Sequence, residues 1–104
     1  MNTHQKYSTI EHHHFDFTYR KGDGFDYPNS GLMLVGCADG RWFIEQEHGD
    51  EYSRFPGVVK SGEDLETAPM FYPDVNAVAK AAFALIKHVY PTTPDERLEE
   101  FLAN

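Results

Sequence analysis

Positively charged residues are scarce in this chain. It carries 9 lysine and arginine residues against 17 aspartate and glutamate residues among its 104 positions, a formal net charge of −8. Nucleic-acid binding draws much of its free energy from counterions that Lys and Arg release from phosphates, so we predict no direct nucleic-acid binding. An ordered negative surface attracts basic proteins, and a basic protein is therefore the predicted partner.

Cysteine and long apolar segments are scarce as well. Cys37 is the single cysteine, so no intramolecular disulfide can form, which is typical of a reducing compartment. No apolar run approaches the roughly 20 residues that a membrane-spanning helix needs, and the first residues lack the apolar segment of a secretory signal. We therefore expect a cytoplasmic chain without membrane contact. Because no cofactor motif is complete, we also expect no cofactor.

Aromatic residues, by contrast, are plentiful. Eight Phe, six Tyr and one Trp are enough to build a core, which distinguishes this chain from a disordered acidic tail. The length fits one domain. We expect a flexible N-terminal segment over residues 1–12 and a single α+β domain over residues 13–104.

The strongest local signal is a β-hairpin. Two β-prone runs, residues 32–38 and 41–47, flank Asp39-Gly40, which favours a two-residue type I′ turn because both positions tolerate positive φ. In that register Cys37 faces Trp42. It also places Val35 opposite Ile44, while Leu34 and Phe43 point to the other face of the sheet.

Alternating aromatic residues predict a further strand from residue 13 to about residue 20, and Gly, Pro and Asn predict a loop over residues 21–31. Two apolar fragments, residues 58–59 and 70–72, are each consistent with a fourth, edge strand or with a Pro-rich loop. Asp74 is a predicted N-cap for a helix over residues 75–89, which Pro91 ends. A second helix begins with Thr93 as N-cap and Pro94 at its first position.

These elements predict an α+β fold. An antiparallel sheet of three or four strands carries the long helix on one face, and a short C-terminal helix follows.

Acidic residues occur in groups, and we predict that some of them bind the partner together with a nearby aromatic residue. The predicted partner-binding residues are Glu45, Glu47, Asp50, Glu51, Tyr52, Glu63, Asp64 and Glu66. A further acidic group covers the last helix. Charge complementarity of this kind selects partners and speeds association. The predicted function is a small, non-enzymatic protein-binding module, an inhibitor or immunity-type neutraliser of a basic nucleic-acid-handling or toxic protein. Plain solubility, in an adaptor domain, is the open alternative.

The histidine run is a second candidate site. His12, His14 and Asp16 alternate along the predicted strand, so their side chains point to one side at intervals of roughly 6.5–7 Å. Two imidazoles and a carboxylate suit zinc or a similar metal. The pattern therefore leaves open a metal-binding protein or a metal-dependent enzyme, beside the simpler interpretation of a solvated strand face.

Overall fold

A computed structural model of the chain describes residues 3–15, 19–21, 24–26, 31–49, 51–60 and 66–103. The elements within these residues are α1 (Thr3–Tyr7), β1 (Thr9–Phe15), β2 (Tyr19–Lys21), β3 (Gly24–Asp26), β4 (Gly31–Cys37), β5 (Trp42–His48), β6 (Val58–Val59), α2 (Val75–Val89) and α3 (Glu96–Ala103). The predicted α+β class is confirmed. None of the described helices has the length and apolar character that crossing a membrane requires.

The main sheet has four strands in the order β1-β4-β5-β6. The β1–β4 and β4–β5 pairs are antiparallel, whereas the short β6 runs parallel to β5, with Val58 opposite Ile44. Both apolar fragments that were candidates for the fourth strand lie along β5. Residues 58–59 form β6, and Tyr72 makes an isolated bridge to Trp42 through amide–carbonyl bonds of 2.7 and 2.9 Å.

The N-terminal boundary differs from the prediction. Residues 3–7 form α1, and β1 begins at Thr9 and pairs with β4 from there, so the predicted limit between residues 12 and 13 falls inside a strand. The segment predicted as a loop contains β3, which pairs antiparallel with β2. β1 and β3 each pair with another strand, and this pairing supplies order that the local sequence pattern does not indicate.

The predicted register of the hairpin is wrong by one residue. The hairpin loop has three residues, 38–40, between the hydrogen-bonded residues Cys37 and Arg41. The amide of Cys37 donates to the carbonyl of Arg41 at 2.8 Å, and that of Gly40 donates to the carbonyl of Cys37 at 3.0 Å. Gly40 has φ +92°, as the last residue of a three-residue hairpin loop requires. Asp39 stabilises this loop by accepting hydrogen bonds from the backbone amide and Nε of Arg41.

The longer loop changes which side chains share a face. Trp42 lies opposite Gly36, and the next two pairs are Val35↔Phe43 and Leu34↔Ile44. Since side chains alternate along a strand, the one-residue shift moves every β5 side chain to the face opposite the predicted one. Trp42 and Ile44 therefore share a face with Leu34, whereas Phe43 and Glu45 share the other face with Val35.

Each face of the sheet has its own apolar core. On the first face the side chains of β1, β4 and β5 pack with α2, which contributes five buried residues: Val78, Ala79, Ala82, Phe83 and Ile86. The second core consists of Val35, Cys37, Phe43 and Val59, with Tyr7 and Phe71 packed against it. We call these the helix face and the α1 face, because Tyr7 belongs to α1.

Of the two C-terminal helices, α2 begins where its local signal predicts, and α3 does not. Oδ1 of Asp74 accepts a hydrogen bond from the amide of Ala77 at 2.8 Å, which confirms the predicted N-cap of α2. α3 begins at Glu96, two residues later than predicted. Thr93 is buried and its hydroxyl donates to the carbonyl of Tyr90 at 2.8 Å, in the connection between the helices.

Candidate functional site

Glu45, a predicted partner-binding residue, is used inside the fold. It lies on the α1 face with 5% of its surface exposed, and its Oε1 is 2.9 Å from Nε2 of His4. Burial raises the pKa of Glu45, and the adjacent His4 opposes that rise. The carboxylate therefore serves as an anchor for α1, and it is not presented to a partner.

Two of the predicted metal ligands, His12 and His14, lie on the same α1 face. Nε2 of His12 is 2.9 Å from Nδ1 of His4, so one ring donates to the other, and Oγ1 of Thr9 is 3.1 Å from that same Nδ1. Burial, together with the nearby His4 and His13, lowers the pKa of His12. Farther along β1, Nδ1 of His14 contacts Oε1 of Glu47.

His12 and His14 thus share a face, as the alternation predicted, but each has a different neighbour. Asp16, the third predicted ligand, lies outside the described residues. Within the residues that are described, no group of three His, Cys, Asp or Glu side chains is arranged to hold a metal ion. The contacts to His4 and Glu47 instead tie β1 to α1 and β5.

The remaining predicted partner-binding residues that are described differ in their burial. Tyr52 is 1% exposed and belongs to the core on the helix face, and its backbone amide donates to Gln46 Oε1 at 3.2 Å. Tyr52 is therefore a structural residue. Glu51 is half-buried and Glu66 is exposed, whereas Asp50, Glu63 and Asp64 lie outside the described residues.

A group of three exposed carboxylates lies on α3. Glu96, Glu99 and Glu100 are exposed, and the apolar residues of the same helix pack toward the core on the helix face. Glu96 and Glu99 occupy its first turn, where the helix dipole stabilises negative charge. This helix carries the group of acidic residues that the sequence shows near its end but that the predicted site does not include.

An open groove of about 420 Å³ lies beside α3 on the helix face. Residues from β1, β5, α2 and α3 line it: Glu11, His13, Trp42, Val75, Asn76, Phe101 and Leu102. Its walls are mostly apolar and its polar groups come from the edge strand β1 and the first turn of α2. A volume of this order is typical of a binding pocket.

Trp42 forms one wall of the groove because Gly36 leaves room for its indole. A Cβ on Gly36 would lie 2.9 Å from two atoms of the indole ring. The imidazole of His13 stacks on the indole with ring centroids 5.7 Å apart and an interplanar angle of 29°. Nε2 of His13 is also 3.1 Å from Oε2 of Glu11, so a carboxylate and an aromatic wall meet at one edge of the groove.

The lining determines what the groove can do chemically. None of its seven lining residues within the described chain is Ser, Thr, Cys, Lys or Arg. The groove therefore offers apolar contact, one carboxylate, one imidazole and one amide to a ligand. The sequence predicts Glu11 in the flexible N-terminal segment and Trp42 on the face opposite Leu34, so it does not bring these residues together.

Cys37 has no place in this groove. It is buried in the core of the α1 face, and burial raises the pKa of its thiol, which opposes formation of the reactive thiolate.

Comparisons with protein-family models, with curated proteins and with solved structures give no match.

Proposed function

We propose that this chain is a small, acidic, non-enzymatic protein-binding module that neutralises a basic protein, as an inhibitor or immunity-type protein does. The observation that carries the proposal is the composition of α3. This one helix presents Glu96, Glu99 and Glu100 to solvent and also supplies Phe101 and Leu102 to the open groove. Negative charge next to an apolar depression suits a partner that is basic and that anchors through apolar side chains.

The distribution of positive charge supports the same proposal. Nζ of Lys87 is 2.7 Å from Asp95, and the Arg41 side chain is 2.7 Å from Asp39 while its guanidinium lies over the ring of Phe71. Each of these cations neutralises a neighbouring carboxylate. The chain as a whole retains an excess of eight negative charges. Such an excess raises the rate of encounter with a positively charged surface.

The test begins with the natural partner. The chain is immobilised on a resin and incubated at low salt with a lysate of its source organism. Proteins that elute in a salt step are then identified. The purified partner is then measured against two triple variants: Glu96→Gln/Glu99→Gln/Glu100→Gln, which removes the charge, and Glu96→Asp/Glu99→Asp/Glu100→Asp, which retains it. We expect the Gln variant to slow association roughly threefold to tenfold at low salt, and less at high salt, because the charges act mainly on the association rate.

The Asp variant is the matched control, since it changes the same three side chains without changing the charge. Circular dichroism establishes that both variants retain the helix content of the parent. Equal association rates for the Gln variant and the parent, or a captured partner that is acidic, would contradict the proposed function.

A further inference from the structure

The groove between Trp42 and Phe101 has a shape and a lining that indicate which kind of side chain can bind there. It is open to solvent and lies at the edge of the sheet, where β1 pairs with β4 alone among the described strands. Two of its walls are aromatic. Trp42 stacks on His13, and Phe101 meets His13 edge-on, with ring centroids 6.4 Å apart and planes at 89°.

Both aromatic walls are held in place from behind. Phe101 packs edge-on against the buried Phe15, with ring centroids 4.8 Å apart. Trp42 is fixed by the backbone bridge to Tyr72 and by the close approach of its indole to Gly36. A side chain that enters the groove therefore meets walls that are already ordered, and its binding does not incur the cost of ordering them.

The charge of the groove is negative. Glu11 is the carboxylate among the lining residues, and its side chain is 54% exposed. Asp74 immediately precedes the lining residue Val75 along the chain. Because no lysine or arginine lines the described groove, an incoming cation meets attraction from Glu11 without an internal competitor other than His13.

From this geometry we infer that the groove is an anchor pocket for a basic segment of the partner protein, an inference that rests on the proposed function. A phenylalanine, or a large aliphatic residue, of that segment enters between Trp42 and Phe101. A lysine or arginine next to it pairs with Glu11, and the exposed amide of Asn76 is available to the backbone of the segment. Buried aromatic contacts with a nearby charge pair are typical of the residues that contribute most to interface affinity.

Defined peptides test this inference without knowledge of the partner. The probes are the acetylated, amidated tripeptides Lys-Phe-Lys, Gln-Phe-Gln, Glu-Phe-Glu and Lys-Gly-Lys. Because the chain contains one Trp, the indole N–H cross-peak of Trp42 in a ¹H–¹⁵N correlation spectrum reports the groove directly. We expect Lys-Phe-Lys to shift this peak in a saturable manner, with an affinity about threefold above that of Gln-Phe-Gln and higher still above that of Glu-Phe-Glu. Lys-Gly-Lys, which lacks the apolar anchor, is expected not to saturate.

Two variants assign the effect to the groove. Glu11→Gln should remove the advantage of Lys-Phe-Lys over Gln-Phe-Gln, and leave the affinity for Gln-Phe-Gln unchanged. Asn76→Phe adds a bulky side chain at an exposed lining position, and it should weaken all Phe peptides at least fivefold without unfolding the chain. Equal affinities for Lys-Phe-Lys and Glu-Phe-Glu would overturn the inference, as would a Trp42 peak that no peptide shifts.

A second copy of the chain is the competing occupant, and its signature is a Trp42 shift that depends on protein concentration alone. That result would also overturn the inference. If the peptides fail while association with the captured partner still depends on the glutamates of α3, the assigned pocket is wrong and the proposed function stands. If association with the captured partner also does not depend on the glutamates of α3, both the assigned pocket and the proposed function are wrong.

Discussion

Gly57 provides the sharpest test of how the fold holds β6 against β5. Its φ is +81°, and a Cβ built on it would lie 2.6 Å from Cβ of Met70 and 3.1 Å from the amide nitrogen of Met70. That amide donates to the carbonyl of Gly57 at 3.2 Å, and Val58, the next residue, begins β6. A side chain at position 57 therefore disturbs the contact between Gly57 and Met70, which joins the two segments that lie along β5, residues 58–59 and 70–72.

The expected magnitude for Gly57→Ala has two parts. Left-handed backbone costs a residue with a Cβ about 1–2 kcal/mol. The overlap with Met70 adds roughly 1–3 kcal/mol, the usual range for overpacking, because the nearest atoms are Cβ and backbone and have no flexible side-chain end to move. We expect a total loss of about 2–5 kcal/mol in the free energy of unfolding, a large part of the stability of about 5–15 kcal/mol that is typical of a domain.

Gly40→Ala separates the two parts. Gly40 has φ +92° and nothing lies within 4 Å of its built Cβ, so this variant incurs only the backbone cost of about 1–2 kcal/mol. The measurement is equilibrium unfolding in urea, followed by circular dichroism and by Trp42 fluorescence. Equal losses for the two variants, or a loss below about 0.5 kcal/mol for Gly57→Ala, would refute the assigned overlap with Met70.

Two further predictions concern single carboxylates. Asp74→Ala removes the side chain that accepts from the amide of Ala77, and should reduce the free energy of unfolding by about 0.5–2 kcal/mol, while Asp74→Asn, which retains an accepting oxygen, should stay within about 0.5 kcal/mol of the parent. A similar loss in both variants would show that capping is not the cause. For Glu45, burial raises the pKa of the carboxyl group in the folded state, so the folded chain binds the proton more tightly than the unfolded chain does. The free energy of unfolding therefore falls as the pH rises from the ordinary glutamate pKa of about 4.3 through the raised value. Glu45→Gln should remove this fall. The free energy of unfolding of the variant, relative to that of the parent, should therefore increase from pH 4 to pH 8. Parallel pH profiles for the two chains would contradict the prediction.

Local signals were sufficient where a few neighbouring residues decide the structure. Asp74 begins α2 because its carboxylate reaches an amide three residues ahead, a contact that depends on no other part of the chain. The α+β class follows in the same way from the alternation of the strands and the helical spacing of the C-terminal third.

The hairpin shows where local signals were insufficient. Asp39-Gly40 is compatible with a loop of two residues or of three, because Gly40 adopts positive φ in either case. The three-residue loop pairs Leu34 with Ile44, which join one core, and Val35 with Phe43, which join the other. The choice therefore depends on packing against α2 and α1, elements that are distant from the turn in sequence.

By itself, the sequence determined the charge, the class of fold and the positions of the two main helices, because composition and short-range contacts are properties of the linear chain. Only the tertiary structure decided which carboxylates meet solvent. Glu45 is buried because α1 places His4 beside it. The glutamates of α3 remain exposed because the apolar residues of that helix face the core. The physical reason is that a strand alternates between two faces with every residue, so the surroundings of a side chain depend on a register that distant packing selects.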